Sequence, residues 1–213
     1  MSTENEKARI SCKPNGPLLV KFLDSLQNSK GENIPTKSAF ALCRCGHSEN
    51  KPFCDGTHRK IGFSGEKTSQ EAKSSKKSYM GKQLTLHDNR SICAHAGICT
   101  DQLPSVFRMK EEPWIDPDGA EVEKIIEIVN QCPSGALRCT IEDAEPQGPD
   151  QNPVIQISKN GPYFVKGGVE LEEIPEAEFP SGEHYALCRC GQSKNKPFCD
   201  GTHWSADFKD DAN

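Results

Sequence analysis

The stretch that decides the fold is CRCGHSENKPFCDGTH, residues 43–58, which returns as CRCGQSKNKPFCDGTH at residues 188–203. The two copies lie 145 positions apart, and residues 10–66 align with the second copy without a gap. An internal repeat of this kind indicates one small structural unit that is used twice. Each copy supplies three cysteines and one histidine: Cys43, Cys45, Cys54 and His58 in the first, and Cys188, Cys190, Cys199 and His203 in the second.

The repeat also separates essential residues from incidental ones. A metal ligand that the unit requires should be present in both copies, whereas Cys12, His47 and His184 each occur in only one copy. Their counterparts are Ile157, Gln192 and Ala39. We therefore interpret these three as structural or surface residues.

The composition of the whole chain also favours small units. Only 34% of the 213 residues are hydrophobic and the mean hydropathy is -0.70, which is little apolar material for one large core. No apolar run approaches the roughly 20 residues of a membrane span, and residues 1–14 are too polar for a secretory signal. We therefore expect a cytoplasmic protein without membrane contact. In that reducing compartment, 11 cysteines favour bound metal over disulfides.

Charge is distributed unevenly along the chain. Residues 1–78 carry 14 Lys and Arg against 8 Asp and Glu, whereas residues 79–145 carry 6 against 12 and residues 146–213 carry 6 against 11. This asymmetry permits docking by electrostatic steering. Several of the lysines fall in a Ser-rich stretch typical of a solvated linker, so we expect no nucleic-acid partner. We also find no arrangement of residues typical of an enzyme active site, and predict that the chain is not an enzyme.

Two polar stretches, residues 67–78 and 142–153, predict linkers between three units. The units would cover residues 1–66, 79–141 and 154–213. We expect an α+β protein, in which the outer units are rich in strands. The predicted strands include Leu18–Lys21 and Tyr163–Lys166, which both follow Asn-Gly-Pro turns.

The middle unit has one clear helical pattern. Val122, Ile125, Ile126 and Val129 recur at the spacing of one helix face. Asp118 is the predicted capping residue, with a glutamate three positions further on as in a capping box.

The spacing of the ligands in each repeat leaves two kinds of metal site open. Structural zinc accepts three Cys and one His, but its cysteines are usually two to four residues apart. In an iron–sulfur cluster, the pair Cys43 and Cys45 can serve one iron while Cys54 and His58 serve the other. Spacing alone does not exclude zinc.

The full motif, Cys-x-Cys-x2-Ser-x3-Pro-x-Cys-Asp-Gly-Thr-His, resembles the CDGSH iron–sulfur signature in both copies, with Thr57 and Thr202 at the position of the serine. The resemblance implies a small β-rich NEET-like fold in each outer unit. It also implies one [2Fe-2S] cluster per motif, held by the three cysteines and the histidine. The two copies can pack against each other within the chain as a pseudo-dimer.

The middle unit resembles the divergent single-cluster ferredoxin-like domain, of the 4Fe-4S type. Its stretch CAHAGIC at residues 93–99 keeps the frame of a bacterial ferredoxin motif with Ala96 in place of the central cysteine, and Cys132-Pro133 follows. The resemblance implies a cluster on Cys93, Cys99 and Cys132. Three thiolates suit [3Fe-4S], whereas [4Fe-4S] needs a fourth ligand, for which His95 and Cys139 are the candidates.

The function expected from these features is electron transfer between redox partner proteins. The alternatives are transfer of a cluster or of iron to an apo-acceptor protein, and redox or pH sensing through the histidine ligand. A zinc-stabilised interaction scaffold is a more remote alternative.

Overall fold

The computed structural model describes residues 7–68, 76–146, 148, 151–174, 183–210 and 213. It has mixed α+β architecture, with three small sheets and only short helices in these ranges. Much of the two predicted linkers, residues 69–75, 147, 149 and 150, lies outside the described residues. No helix in the described ranges is long and apolar enough to span a membrane.

The elements of the N-terminal repeat are β1 (Arg9–Cys12), β2 (Leu18–Lys21), β3 (Leu26–Gln27), β4 (Ala39–Leu42) and the helical turn α1 (Thr57–Lys60). Those of the middle unit are β5 (Lys76–Met80), β6 (Thr85–Asn89), α2 (Ile98–Gln102), α3 (Val122–Asn130) and β7 (Leu137–Thr140). Those of the C-terminal repeat are β8 (Val154–Ile157), β9 (Tyr163–Lys166), β10 (Glu170–Leu171), β11 (His184–Leu187) and α4 (Thr202–Ser205). The strands predicted after the Asn-Gly-Pro turns are therefore confirmed as β2 and β9.

The two repeats exchange short strands. Their sheets have the orders β10-β1-β2-β4 and β11-β9-β8-β3, so that each sheet ends in a strand of the other repeat. Ile10 pairs with Leu171, and Leu26 pairs with Ile155, both in parallel. Side chains from both repeats form one buried core, which includes Ile10, Leu18, Val20, Leu26, Ile155, Tyr163, Val165 and Tyr185. The outer units therefore share one hydrophobic core.

The middle unit is an antiparallel sheet of order β5-β6-β7 with α3 packed on it. The strand β5 begins at Lys76, so the last three residues of the predicted first linker belong to this sheet. Ile125, Ile128 and Val129 are the buried face of α3. The predicted cap is wrong, since the helix begins after Glu121 without a side-chain cap and the Asp118 carboxylate accepts from the amide of Lys82.

The middle unit packs against the core of the repeats rather than standing apart. Ile92 and Ala136 of the middle unit are buried in the core that the repeats share. The Asn195 side chain donates to the Ser91 carbonyl at 2.9 Å, and the His184 ring hydrogen-bonds the Cys132 carbonyl. His184 thus joins the C-terminal repeat to the middle unit, whereas its counterpart in the N-terminal repeat, Ala39, is exposed.

Candidate metal centres

In each repeat, the four predicted ligands form two close pairs. The Sγ atoms are 3.7 Å apart in Cys43 and Cys45, and 3.8 Å apart in Cys188 and Cys190. The Sγ atom of the third cysteine lies 3.4 Å from His58 Nδ1 in the N-terminal repeat, and 3.5 Å from Nδ1 of the equivalent histidine in the C-terminal repeat.

These distances match the edges of a tetrahedral metal site. Bonds of about 2.3 Å to sulfur and about 2.0 Å to nitrogen place two thiolates about 3.8 Å apart, and a thiolate and an imidazole about 3.5 Å apart. Each pair is therefore spaced to bind one metal through both of its donors, with Nδ1 as the donor of the histidine. In the described part of the chain, no three His, Cys, Asp or Glu side chains converge on one ion position.

Burial makes Cys45 and Cys199 poor acids without a metal, whereas a hydrogen bond with the Cys188 thiol lowers the pKa of Cys190 to about 6. Desolvation raises the pKa of Cys45 to about 11 and raises the pKa of Cys199 well above its ordinary value. A thiolate in such a place requires a nearby cation, because removing its water shell is costly. The donor sets therefore fit a bound metal or metal cluster.

Aspartate residues position the turn that carries the histidine ligand. Asp55 accepts hydrogen bonds from the amides of Thr57 (3.0 Å) and Glu49 (2.9 Å), and these two amides hold the pKa of its carboxyl well below the ordinary value. Asp200 accepts from Thr202 and Lys194 in the same way. Each aspartate thus accepts from the first amide of the following helical turn, whose N-cap residue is a glycine, Gly56 or Gly201.

The arginine between the first two ligands is buried rather than solvated. Arg44 is 3% exposed, and its guanidinium donates to the carbonyls of Gly16 at 2.9 Å and Lys13 at 2.8 Å. It thereby ties the turn after β1 to the ligand loop. Arg44 is therefore a buried cation next to the ligand cysteines and not a solvated surface residue.

The equivalent Arg189 is 1% exposed and has an additional acidic partner. Its guanidinium donates to the carbonyls of Gly161 and Ser158, at 2.7 and 2.8 Å, and forms a buried ion pair with Asp210. Nothing in the sequence marked Asp210, because it follows the motif in a polar C-terminal segment. The signal that was available is the arginine itself, which recurs at the same place in both motifs.

The two repeat sites meet through their backbones. A Cβ atom on Gly46 would lie 2.5 Å from the Cys190 carbonyl oxygen, and one on Gly191 would lie 2.5 Å from that of Cys45. Both glycines have positive φ, at 82° and 79°, so no other residue fits this approach. The Tyr163 hydroxyl adds a bond to the Cys43 carbonyl at 2.8 Å. The ligand loops of the two motifs are therefore in direct contact.

The predicted ligands of the middle unit line one cavity of about 530 Å³. Cys93, Cys99 and Cys132 all contribute to its wall, and burial raises the pKa of Cys99 to about 11. Three cations are also in the wall: Arg90, Arg108 and Lys110. The wall also contains the carboxylates of Asp88 and Asp101, and Arg90 forms an ion pair with Asp88. Sequence reasoning did not single out these charged residues. The size of the cavity is that of a small-cofactor site.

The two candidates for a fourth ligand are placed differently. His95 lines the cavity, and its ring also lies over the ligand loop of the C-terminal repeat, because Cδ2 would be 2.2 Å from a Cβ atom on Gly201. Cys139 is 4% exposed in β7, packed in the core of the middle unit, and is not among the described residues that line the cavity. The placement favours His95 as the neighbour of a bound group.

Each repeat contains a pair of thiols and a thiol–imidazole pair, and the middle unit contains a thiol-lined cavity. These features define a protein with several sites for thiophilic metals. The family model described as "Iron-binding zinc finger CDGSH type" matches residues 15–59 and 160–204, and that described as "Divergent 4Fe-4S mono-cluster" matches residues 79–142. The chain is thus an iron–sulfur protein that belongs to the CDGSH-type family, with two CDGSH domains on either side of a divergent 4Fe-4S domain.

Part of the chain is similar to a bacterial protein. Over 60 residues it is 37% identical to the "Uncharacterized protein YjdI" of Escherichia coli (strain K12). The aligned segment is 28% of this chain and 79% of that protein. The protein of the same name from Escherichia coli O157:H7 has the same identity and coverage.

Proposed function

We propose that the protein is an electron carrier with two [2Fe-2S] clusters and one [3Fe-4S] or [4Fe-4S] cluster, and that it is not itself an enzyme. In each repeat, the pair of cysteines would hold one iron and the Cys–His pair the other, as their separate tetrahedral spacing supports. Cys93, Cys99 and Cys132 would hold the third cluster, with His95 as the fourth ligand if it is [4Fe-4S]. Such clusters, when bound, take up and release one electron at a potential that their ligands set.

The observation that carries the proposal is the contact between the three sites. The His95 ring extends from the cavity wall to the loop at Gly201, and the backbone at Cys190 meets the backbone at Cys45. Electron tunnelling is fast only over short distances, so ligand loops in van der Waals contact suit a relay. The chain's own residues thus form a continuous path from the cavity through the C-terminal motif to the N-terminal motif.

Cluster transfer to an apo-acceptor is the second candidate, and one feature favours it. The partly exposed Cys54 and the buried His58 line a wide groove on the N-terminal repeat, whereas Cys199 is buried together with His203 on the C-terminal repeat. A ligand pair beside an open groove is accessible to an attacking thiol of another protein. A sensor that responds through the same histidine would share this feature.

A single acceptor protein used in two forms separates these functions. The oxidised protein is mixed under anaerobic conditions with a reduced ferredoxin and, in a second experiment, with the same ferredoxin stripped of its cluster. Because histidine ligation raises the potential of a cluster, the carrier function predicts rapid oxidation of the intact ferredoxin, with the iron and sulfide of the protein retained. Appearance of the ferredoxin spectrum in the apo form, with matching loss of iron from the protein, would contradict it.

A further inference from the structure

The two repeats present equivalent faces, and one of these faces is covered. On the C-terminal repeat, Ala94 of the middle unit packs against Ala186 and Cys199. The His95 ring lies over Gly201 on the same face. This face of the C-terminal repeat is thus filled by the residues that precede α2.

The matching face of the N-terminal repeat is open. The counterparts of the covered residues are Ala41, Cys54 and Gly56, and all three are partly exposed, whereas Ala186, Cys199 and Gly201 are buried. A Cβ atom on Gly56 would have no neighbour within 4 Å. A groove of about 910 Å³ runs along this face, and its walls include Lys13, Gly16, Ala41, Cys54, His58 and Arg59.

The open face also differs in charge from the covered one. Lys13 and Arg59 line the groove and are exposed, and Lys60, which is also exposed, follows Arg59 in the chain. Their counterparts in the C-terminal repeat are all uncharged: Ser158, Trp204 and Ser205. The acidic residues of the same motif, Asp55 and Glu49, are not among the described residues that line the groove. The rim of the open face is therefore cationic, whereas the same positions on the covered face are uncharged.

We propose that the groove on the N-terminal repeat docks a separate, acidic electron-transfer protein, in the position that the middle unit occupies on the other repeat. The inference rests on the proposed electron-carrier function and adds the partner's charge and its place of docking. A second copy of the chain would have to bring its own segment 91–97 to this face. In that segment Ile92 and Ala94 are already buried within their own chain, and Ala94 packs against the C-terminal repeat.

Charge reversal at matched positions tests the docking site. The variant Lys13→Glu with Arg59→Glu changes the open face, and Ser158→Glu with Trp204→Glu adds charge at the same two positions of the covered face. The probe is a small acidic plant-type [2Fe-2S] ferredoxin, titrated by calorimetry into the holo-protein with both proteins oxidised. Visible absorbance and iron content of each variant confirm that its clusters are in place.

We expect the first variant to weaken binding at least about tenfold at about 10 mM ionic strength, where the Debye length is about 30 Å. The difference should shrink at about 1 M, where that length is about 3 Å. The control variant should bind within about twofold of the parent. Equal effects of the two variants, or no binding by the parent, would overturn the proposal.

Two further measurements keep this inference separate from the proposed function. Binding at the groove without electron transfer would support the docking site and contradict the carrier function, whereas oxidation of the reduced protein by ferricyanide tests the carrier function without any docking. Sedimentation of the parent tests the other occupant. Self-association that the Lys13→Glu, Arg59→Glu variant abolishes would mean that a second copy fills the groove, and would overturn the proposal.

Discussion

Substitution of one glycine in each repeat measures how firmly the middle unit is docked. Gly201 and Gly56 occupy equivalent positions with φ of 83° and 90°, so alanine introduces similar backbone strain of about 1–2 kcal/mol at either one. They differ in surroundings, since the new methyl group would lie 2.2 Å from His95 Cδ2 at Gly201 and would meet nothing within 4 Å at Gly56. Relieving this overlap should weaken docking by about 1–3 kcal/mol, the usual cost of overpacking.

Hydrogen exchange can measure this difference without unfolding the protein. A loss of about 1–3 kcal/mol in docking free energy raises the equilibrium constant for local opening roughly 5- to 150-fold. Amides in residues 89–101 should therefore exchange faster by about that factor in Gly201→Ala. Gly56→Ala is the control, because it carries the backbone strain without the contact. Exchange within twofold of the parent in both variants would show that His95 does not rest on this loop, and would refute the relay through it.

Other substitutions test the metal ligands and the buried charges. His58→Cys and His203→Cys should each lower the potential of one cluster by about 100–350 mV in a redox titration, because a fourth thiolate makes the cluster more negative. An unchanged potential would mean that these histidines are not ligands. Asp210→Asn leaves a buried guanidinium unpaired and should lower the free energy of unfolding by about 3–5 kcal/mol, measured by denaturant titration. Cys139→Ser should keep the full iron and sulfide content, whereas Cys132→Ser should lose that of the middle site. Removal of iron by a chelator should abolish the native circular dichroism of the repeats, since small polar units depend on their metal for folding. Protease resistance of the fully apo protein would contradict that expectation.

The short-range features of this fold could be predicted from the sequence. The strands after the Asn-Gly-Pro turns follow from local turn chemistry and alternation, and β2 and β9 have the bounds expected. Of the predicted helix face, Ile125 and Val129 are buried and Val122 and Ile126 are partly buried, because an apolar period identifies a face within a few turns. The buried Ile128 was not predicted. The start of α3 was misjudged, since Asp118 finds a better donor in the amide of Lys82, far away in the sequence.

The long-range features could not be predicted in this way. The pairing of Ile10 with Leu171 joins strands of only a few residues from opposite ends of the chain, and no local pattern encodes it. The burial of Arg44 depends on carbonyls at Lys13 and Gly16, which present no side-chain signal. Likewise, the role of His184 depends on where the middle unit docks. Comparison of the two repeats shows only that the other copy has Ala39 at this position.

The strand exchange between the repeats has a consequence for the sequence evolution of this protein. In a homodimer of single-motif chains, every substitution appears twice, so a feature that suits one half is imposed on the other. Here two paired halves are encoded by one chain, and β3 and β10 cross between these covalently joined halves. Each half can therefore mutate independently while the pairing is retained. His184, which contacts the middle unit, and Lys13, on the groove of the other repeat, can coexist only because the two halves differ in sequence.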